Sequence, residues 1–170
     1  MNCKNIKGSD LSDDCIPTLT SLPLLEVLDM TFSKNLINFS KNEKAFLKSS
    51  QTNIAFNSLR HLNLSFCENL NSLCIKADIE CISLEGCKNL TIFNVDTYSN
   101  THEISFVNLK GVSLLSEKEV LKLIKSKNFD LVIDPLTSKE AFKDLLAEFP
   151  NYPKFPSLDG MHHLINKLKI

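Results

Sequence analysis

The sequence predicts an α/β solenoid, with a parallel sheet of about five short strands on a concave face, helices and loops on the convex side and a helical cap at the C-terminal end. Three observations carry this expectation. One irregular apolar template recurs along the chain. Within each copy, aliphatic residues spaced by one alternate with polar ones, the period of a half-buried strand. Segments of helical period with capping boxes follow the last copies.

The template is plainest in "SLRHLNLSFCENLNSL", residues 58 to 73, and its near repeat "DIECISLEGCKNLTIF", residues 78 to 93. Both align without a gap as L-x-x-L-x-L-x-x-C-x-x-L-x-x-L. The first copy runs through Leu59, Leu62, Leu64, Cys67, Leu70 and Leu73, the second through Ile79, Ile82, Leu84, Cys87, Leu90 and Phe93. "LEVLDMTFSKNLINF" fits through Leu25, Leu28, Met30, Leu36 and Phe39, with Ser33 in place of the cysteine. "THEISFVNLKGVSLL" fits through Ile104, Phe106, Leu109, Val112 and Leu115, which puts Leu109 at the cysteine position and ends the run of polar caps. "NFDLVIDP" keeps the strand part alone, through Leu131 and Ile133.

The copies start at residues 25, 59, 79 and 101, with the last strand near 128. Those intervals fall mostly in the range of about 20–29 residues of one repeat class. The chain resembles a leucine-rich repeat protein over roughly residues 11 to 134, and "LNLSFCENL" and "ISLEGCKNL" resemble the cysteine-containing type of that family. The resemblance implies that the residues between the paired leucines face out on the concave sheet. It also implies that Cys67 and Cys87 turn inward, where a small, weakly polar side chain caps backbone groups at the strand end.

Residues 1–134 are read as repeats and 135–170 as a C-terminal helical cap. "LSDDCIPTLTSLPLLEVLDM" has a helix-then-strand pattern. "SKNEKAFLKSSQTNIAFN" is an enlarged convex excursion, partly helical. "SEKEVLKLIKSK" opens with Ser116 and has Glu119 three residues on, a capping box, with Val120, Leu121 and Ile124 as an apolar stripe. "TSKEAFKDLLAEFP" repeats the pattern with Thr137, Glu140 and a stop at Pro150. After the turn with Pro153 and Pro156, Leu158, Met161, Leu164, Ile165 and Leu168 share one helical face. Such caps cover the apolar core that a solenoid otherwise leaves open at its ends.

Composition narrows the function. A chain of 170 residues with 43% hydrophobic and 23% charged content fits one domain that needs no disulfide or metal to fold. Lys plus Arg number 19 against 20 Asp plus Glu, without any block of like charge, so the basic footprint of a nucleic-acid binder is missing. The six cysteines are read as reduced thiols in a cytoplasmic protein. The polar start carries no secretory signal pattern, and no apolar run reaches the length of a membrane span.

Stacking the copies lines up equal template positions about 4.8 Å apart. The third position is expected to run Val27, His61, Cys81, Glu103 and Asp130, the fifth Asp29, Asn63, Ser83, Ser105 and Val132, and the seventh Thr31, Ser65, Glu85, Val107 and Asp134. Phe32 and Phe66 occupy the eighth position, where the third copy has Gly86. The expected partner-binding set is Asp29, Thr31, Phe32, His61, Asn63, Ser65, Phe66, Cys81, Ser83, Glu85, Glu103, Ser105 and Asp130. The acidic members would meet basic groups on a protein partner, and the two phenylalanines would anchor it. The bland alternative is that each ring packs beneath the excursion after residue 39.

An alternative chemistry is a cysteine-dependent hydrolase using Cys81 and His61. The order of groups is wrong for a relay, since Glu103 would flank the cysteine and not orient the histidine. His162 and His163 are adjacent on a helix and diverge, and no C-x-x-C occurs, so neither a metal nor a cofactor is expected. In its short, Lys- and Asn-rich, Gly-poor style the chain also resembles the small leucine-rich-repeat effectors of intracellular bacteria such as Legionella. That resemblance implies a monomeric, non-enzymatic binder delivered into a host cytosol. There it would bind, and inhibit, a host protein or another effector enzyme.

Overall fold

The computed structural model describes residues 3–40, 53–99, 104–115 and, as backbone, 130–133. Over these residues the chain winds as a parallel β-solenoid of about four turns. The first sheet has six strands: β1 (Asn5–Lys7), β2 (Val27–Asp29), β5 (His61–Asn63), β7 (Cys81–Ser83), β9 (Phe106–Leu109) and β10 (Asp130–Ile133), in that spatial order and all parallel. The strand anticipated at "NFDLVIDP" is β10. The outermost strand at the other edge, β1, was hidden in the sequence because the polar stretch "NCKNIKGSD" shows only one apolar strand residue, Ile6.

The four central strands place their inward residues with period two. Leu28, Leu62, Ile82 and Val107 stand in register on neighbouring strands, and each is completely buried. Met30, Leu64, Leu84 and Leu109, two residues further along, enter the same core. The approach to each strand is pinned by the coil before it, with the amides of Arg60, Glu80 and Ser105 donating to the carbonyls of Glu26, Arg60 and Glu80 at 2.8–2.9 Å.

The opposite side differs from expectation. Where helices and loops were anticipated, the described residues form a second parallel sheet. It comprises β3 (Asn38–Phe39), β4 (Ile54–Ala55), β6 (Ser72–Lys76) and β8 (Ile92–Asp96), with β6 paired to the other three. The reason is reach. A coil such as the one from Cys67 to Ile79 leaves few residues for the return path. Five residues extended at about 3.3 Å each span roughly 17 Å, whereas the same five as helix span only about 8 Å. "SLCIK" and "IFNVD" therefore run as strands, and Phe39, Leu73 and Phe93 align in register.

Only the longer first coil fits a helix among the described residues. Here a 3-10 turn (Asp13–Cys15) leads into α1 (Ile16–Thr20), which carries Pro17 in its first turn and buries Ile16 and Leu19. Asp13 Oδ1 accepts the amides of Ile37 at 2.7 Å and Asn38 at 3.1 Å, closing the start of β3. The excursion after residue 39 returns as β4 on β6, and the rings of Phe39 and Phe56 stack in the core with centroids 5.9 Å apart. Residues 41–52, the helix expected after Ser116 and the cap expected over 135–170 lie outside the described residues.

A second correction concerns the fourth copy. Phe106, Val107 and Asn108 pair with Cys81, Ile82 and Ser83, three residues later than the alignment placed them. The copy therefore begins at Ile104 and runs through Val107, Leu109, Val112 and Leu115. Val112, not Leu109, takes the cysteine position, and the polar caps still end there. The signal for this register is "LEGC" against "LKGV", two Gly-containing turns at the same template position.

Candidate binding groove

The turns leaving β2, β5, β7 and β9 are alike. The amides of Ser33, Cys67, Cys87 and Val112 donate to the carbonyls of Met30, Leu64, Leu84 and Leu109 at 3.1–3.2 Å, closing four β-turns. The third residue of each turn lies in the left-handed region: Phe32 at φ 63°, Phe66 at 60°, Gly86 at 72° and Gly111 at 73°. Asp10, at 69°, holds the equivalent place after β1. A turn with positive φ at its third residue calls for glycine or asparagine, so two of the five places are filled by residues poorly suited to them.

Neighbouring turns are also joined to one another. The amides of Phe32, Phe66 and Gly86 donate to the carbonyls of Ser65, Glu85 and Lys110 at 3.0, 2.6 and 2.8 Å. The sheet ladder thus continues through the turns and brings the fifth, seventh and eighth positions into one surface.

The fifth position supplies side-chain braces. Asp29 Oδ1 accepts the amide of Thr31 at 3.0 Å and also its hydroxyl. Asn63 Oδ1 accepts the amide of Ser65 at 3.0 Å and its hydroxyl at 2.7 Å. Asn108 Oδ1 accepts the amide of Lys110 at 3.1 Å. These are Asx turns, which hold a loop by imitating a backbone turn. Ser83 has no such brace; its hydroxyl lies 2.8 Å from that of Ser65 and accepts from Asn108 Nδ2 at 3.3 Å.

Over this surface lies a groove of about 640 Å³. Of the expected partner-binding residues, Asp29, Thr31, Phe32, Asn63, Ser65 and Phe66 line it, as do Ser83 and Glu85. Lys7, Phe106 and Asn108 also line it and were not anticipated, the first because β1 was unseen and the others because of the three-residue slip.

The remaining expected residues fall elsewhere. His61 and Cys81 sit lower on their strands, outside the groove, in register with each other. Ser105 is exposed at the approach to β9 and not at the fifth position, which belongs to Asn108. Val107, expected on the surface, is a core residue. Asp130 keeps its row, paired with Phe106, while Glu103 and Asp134 lie outside the described residues. Cys81 therefore has Phe106, and not Glu103, beside it on the far strand, and it is only 3% exposed. His61, the residue paired with Cys81 in the hydrolase alternative, is its neighbour in register on β5.

Phe32 and Phe66 stack nearly parallel, 10° apart with ring centroids 5.0 Å from each other. They remain 57% and 37% exposed, so neither ring is a core residue. Phe66 lies over Gly86 so closely that a Cβ there would stand 2.7 Å from its Cδ1. Two carboxylates line the same groove. Lys110 Nζ is 3.2 Å from Glu85 Oε1, and Lys7 Nζ is 3.7 Å from Asp29 Oδ2.

Beneath the turns the cysteine template position does what its chemistry suggests. Cys67 Sγ donates to the carbonyl of Met30 at 3.2 Å, and Cys87 Sγ to that of Leu64 at 3.1 Å. In the preceding coil the Ser33 hydroxyl accepts the Leu11 amide at 3.2 Å. Burial pushes the Cys67 thiol up from 9.0 to about 11 and the Cys87 thiol to about 12, so both stay protonated and keep donating at neutral pH. Native protein treated with a thiol reagent at pH 8 is expected to modify Cys3 and Cys15 and to spare Cys67, Cys74, Cys81 and Cys87 until it unfolds. Because the folded values lie above the unfolded one, the stability these thiols contribute is full below about pH 9 and declines as pH rises toward 11–12. The melting temperature should fall over that window, less so in Cys67→Ser. Rapid native modification of the buried four would contradict the capping role.

The chain matches no protein-family model, and no curated protein or solved structure matches it. No helix among the described residues is long and apolar enough to cross a membrane.

Proposed function

We propose that the chain is a non-enzymatic protein-binding module that takes its partner on the groove face of the six-stranded sheet, anchored by Phe32 and Phe66. One observation carries this reading: two bulky aromatic residues occupy left-handed turn positions that glycine fills in the next two coils. Each such placement costs about 1–2 kcal/mol relative to an unstrained residue. Mutual stacking of the rings returns only about 0.5–1.5 kcal/mol, and with 57% of Phe32 and 37% of Phe66 exposed, part of the burial a core phenylalanine gains is forgone. Backbone strain kept at an exposed aromatic pair is characteristic of a site retained for contact and not for folding.

On the resemblance to leucine-rich-repeat effectors, the partner is a host protein or another effector enzyme, and the module acts by covering part of it.

The test exploits the strained turns. Phe32→Gly with Phe66→Gly places the residue those positions favour, so the double variant should fold with a melting temperature close to that of the parent. A partner captured by the full chain from host or bacterial lysate should bind this variant at least about 30-fold more weakly, the loss expected for anchor residues. Equal affinity for the same partner would refute the reading.

A further inference from the structure

The sequence suggested that acidic residues on this face await basic groups of a partner, but both groove carboxylates are already satisfied within the chain. Asp29 is engaged on both oxygens, Oδ1 by the Thr31 amide and hydroxyl and Oδ2 by Lys7 Nζ at 3.7 Å. Glu85 is engaged likewise, Oε1 by Lys110 Nζ at 3.2 Å and Oε2 by Asn108 Nδ2 at 3.3 Å. One lysine thus faces each carboxylate, Lys7 from within the groove lining and Lys110 from outside it, so neither anion is left without a counterion.

What is left to offer is of a different kind. Asn63 lines the groove with its Oδ1 spent on Ser65, and among the described residues its Nδ2 makes no hydrogen bond, so it presents amide donors. The Phe32–Phe66 pair offers apolar ring surface beside it.

Resting on the protein-binding reading above, we infer that the groove takes an uncharged stretch of polypeptide. One apolar or aromatic side chain of that stretch seats against Phe32 and Phe66, and a main-chain carbonyl accepts from Asn63 Nδ2. A charged side chain finds both carboxylates already faced by exposed lysines, so it gains little Coulomb energy by entering. The pairing therefore fails to attract charge. A volume of about 640 Å³ suits a short segment and not a whole domain surface. An oligosaccharide is the competing occupant, and the experiment below separates the two.

The experiment is selection of a random peptide library displayed on phage against the full chain, with an array of uncharged oligosaccharides run in parallel. Enriched peptides should share an aromatic or aliphatic anchor with uncharged neighbours. Synthetic versions should change affinity by less than about threefold between 0.05 and 0.5 M salt, since screening acts on charge pairs. Binding should fall at least about tenfold in Phe66→Gly, which keeps the turn, and in Asn63→Asp, which removes the amide donor and adds a charge.

Enrichment of Lys/Arg-rich or Asp/Glu-rich peptides that bind through Phe66 but are lost in salt would overturn the inference and leave the protein-binding reading standing. Phe66-dependent capture of an oligosaccharide with no peptide enriched would overturn both. So would enriched peptides indifferent to both phenylalanines.

Discussion

Leu62→Ala is expected to lower the unfolding free energy by about 3–5 kcal/mol, the largest effect of any single change considered for this chain. Leu62 is the central residue of β5, fully buried, with Leu28 on one side and Ile82 on the other in exact register. Strands on both flanks are held at about 4.8 Å spacing by continuous hydrogen-bond ladders. The neighbouring side chains therefore cannot close over the lost methyl groups, and the cavity persists. Because each coil of a solenoid touches only its neighbours, the damage also weakens the coupling between the coils before and after β5. Urea denaturation should show a lower midpoint and a shallower slope. A loss below about 1 kcal/mol would mean that the site collapses freely, contrary to the rigid stacking described.

Gly86→Ala should cost about 2–3 kcal/mol through two separable causes. The first is conformational: at φ 72° an alanine is strained by about 1–2 kcal/mol. The second is a collision, since the new Cβ would stand 2.7 Å from Phe66 Cδ1 and force the ring off its stack with Phe32. Gly111→Ala isolates the first cause. A Cβ at Gly111 meets nothing nearer than 3.5 Å, so only backbone strain remains. A double-mutant cycle isolates the second. In a Phe66→Gly background the clash partner is gone, and Gly86→Ala should become cheaper by roughly 1 kcal/mol. Additive behaviour would show that Phe66 does not lie over Gly86 in solution.

These two positions also show how legible the chain was. Leu62 was recognisable from the period of its neighbours, and so were the other inward residues of the first three copies. Alternation of apolar and polar side chains is a local property that a strand imposes whatever its surroundings. Cys67 and Cys87 were readable as caps for the same reason. A small polar side chain at a fixed offset after the strand has a carbonyl of the preceding coil within reach.

Gly86 was visible as a residue, but its meaning was not. That the eighth position demands positive φ emerges only when the turns are superimposed, and only then do Phe32 and Phe66 become anomalies as well as hydrophobic residues. The fourth copy was misplaced because Ile104, Phe106, Leu109, Val112 and Leu115 satisfy the template three residues early as well as Ile104, Val107, Leu109, Val112 and Leu115 satisfy it in the true register. Hydrogen bonding to β7 resolves that degeneracy, and it exchanges Glu103, Ser105 and Val107 on the surface rows for Phe106, Asn108 and Lys110.

The sequence by itself determined that the chain is a repeat solenoid, which residues of the first three copies point inward, and that the cysteines at the ninth position are structural. Each of these follows from spacing along one coil. The tertiary structure alone decided that the return path is a sheet, that β1 completes the edge, and that Lys7 and Lys110 neutralise Asp29 and Glu85. Those outcomes depend on distances between coils. Residues more than twenty positions apart meet there through stacking, and no pattern within a single coil records which of them will.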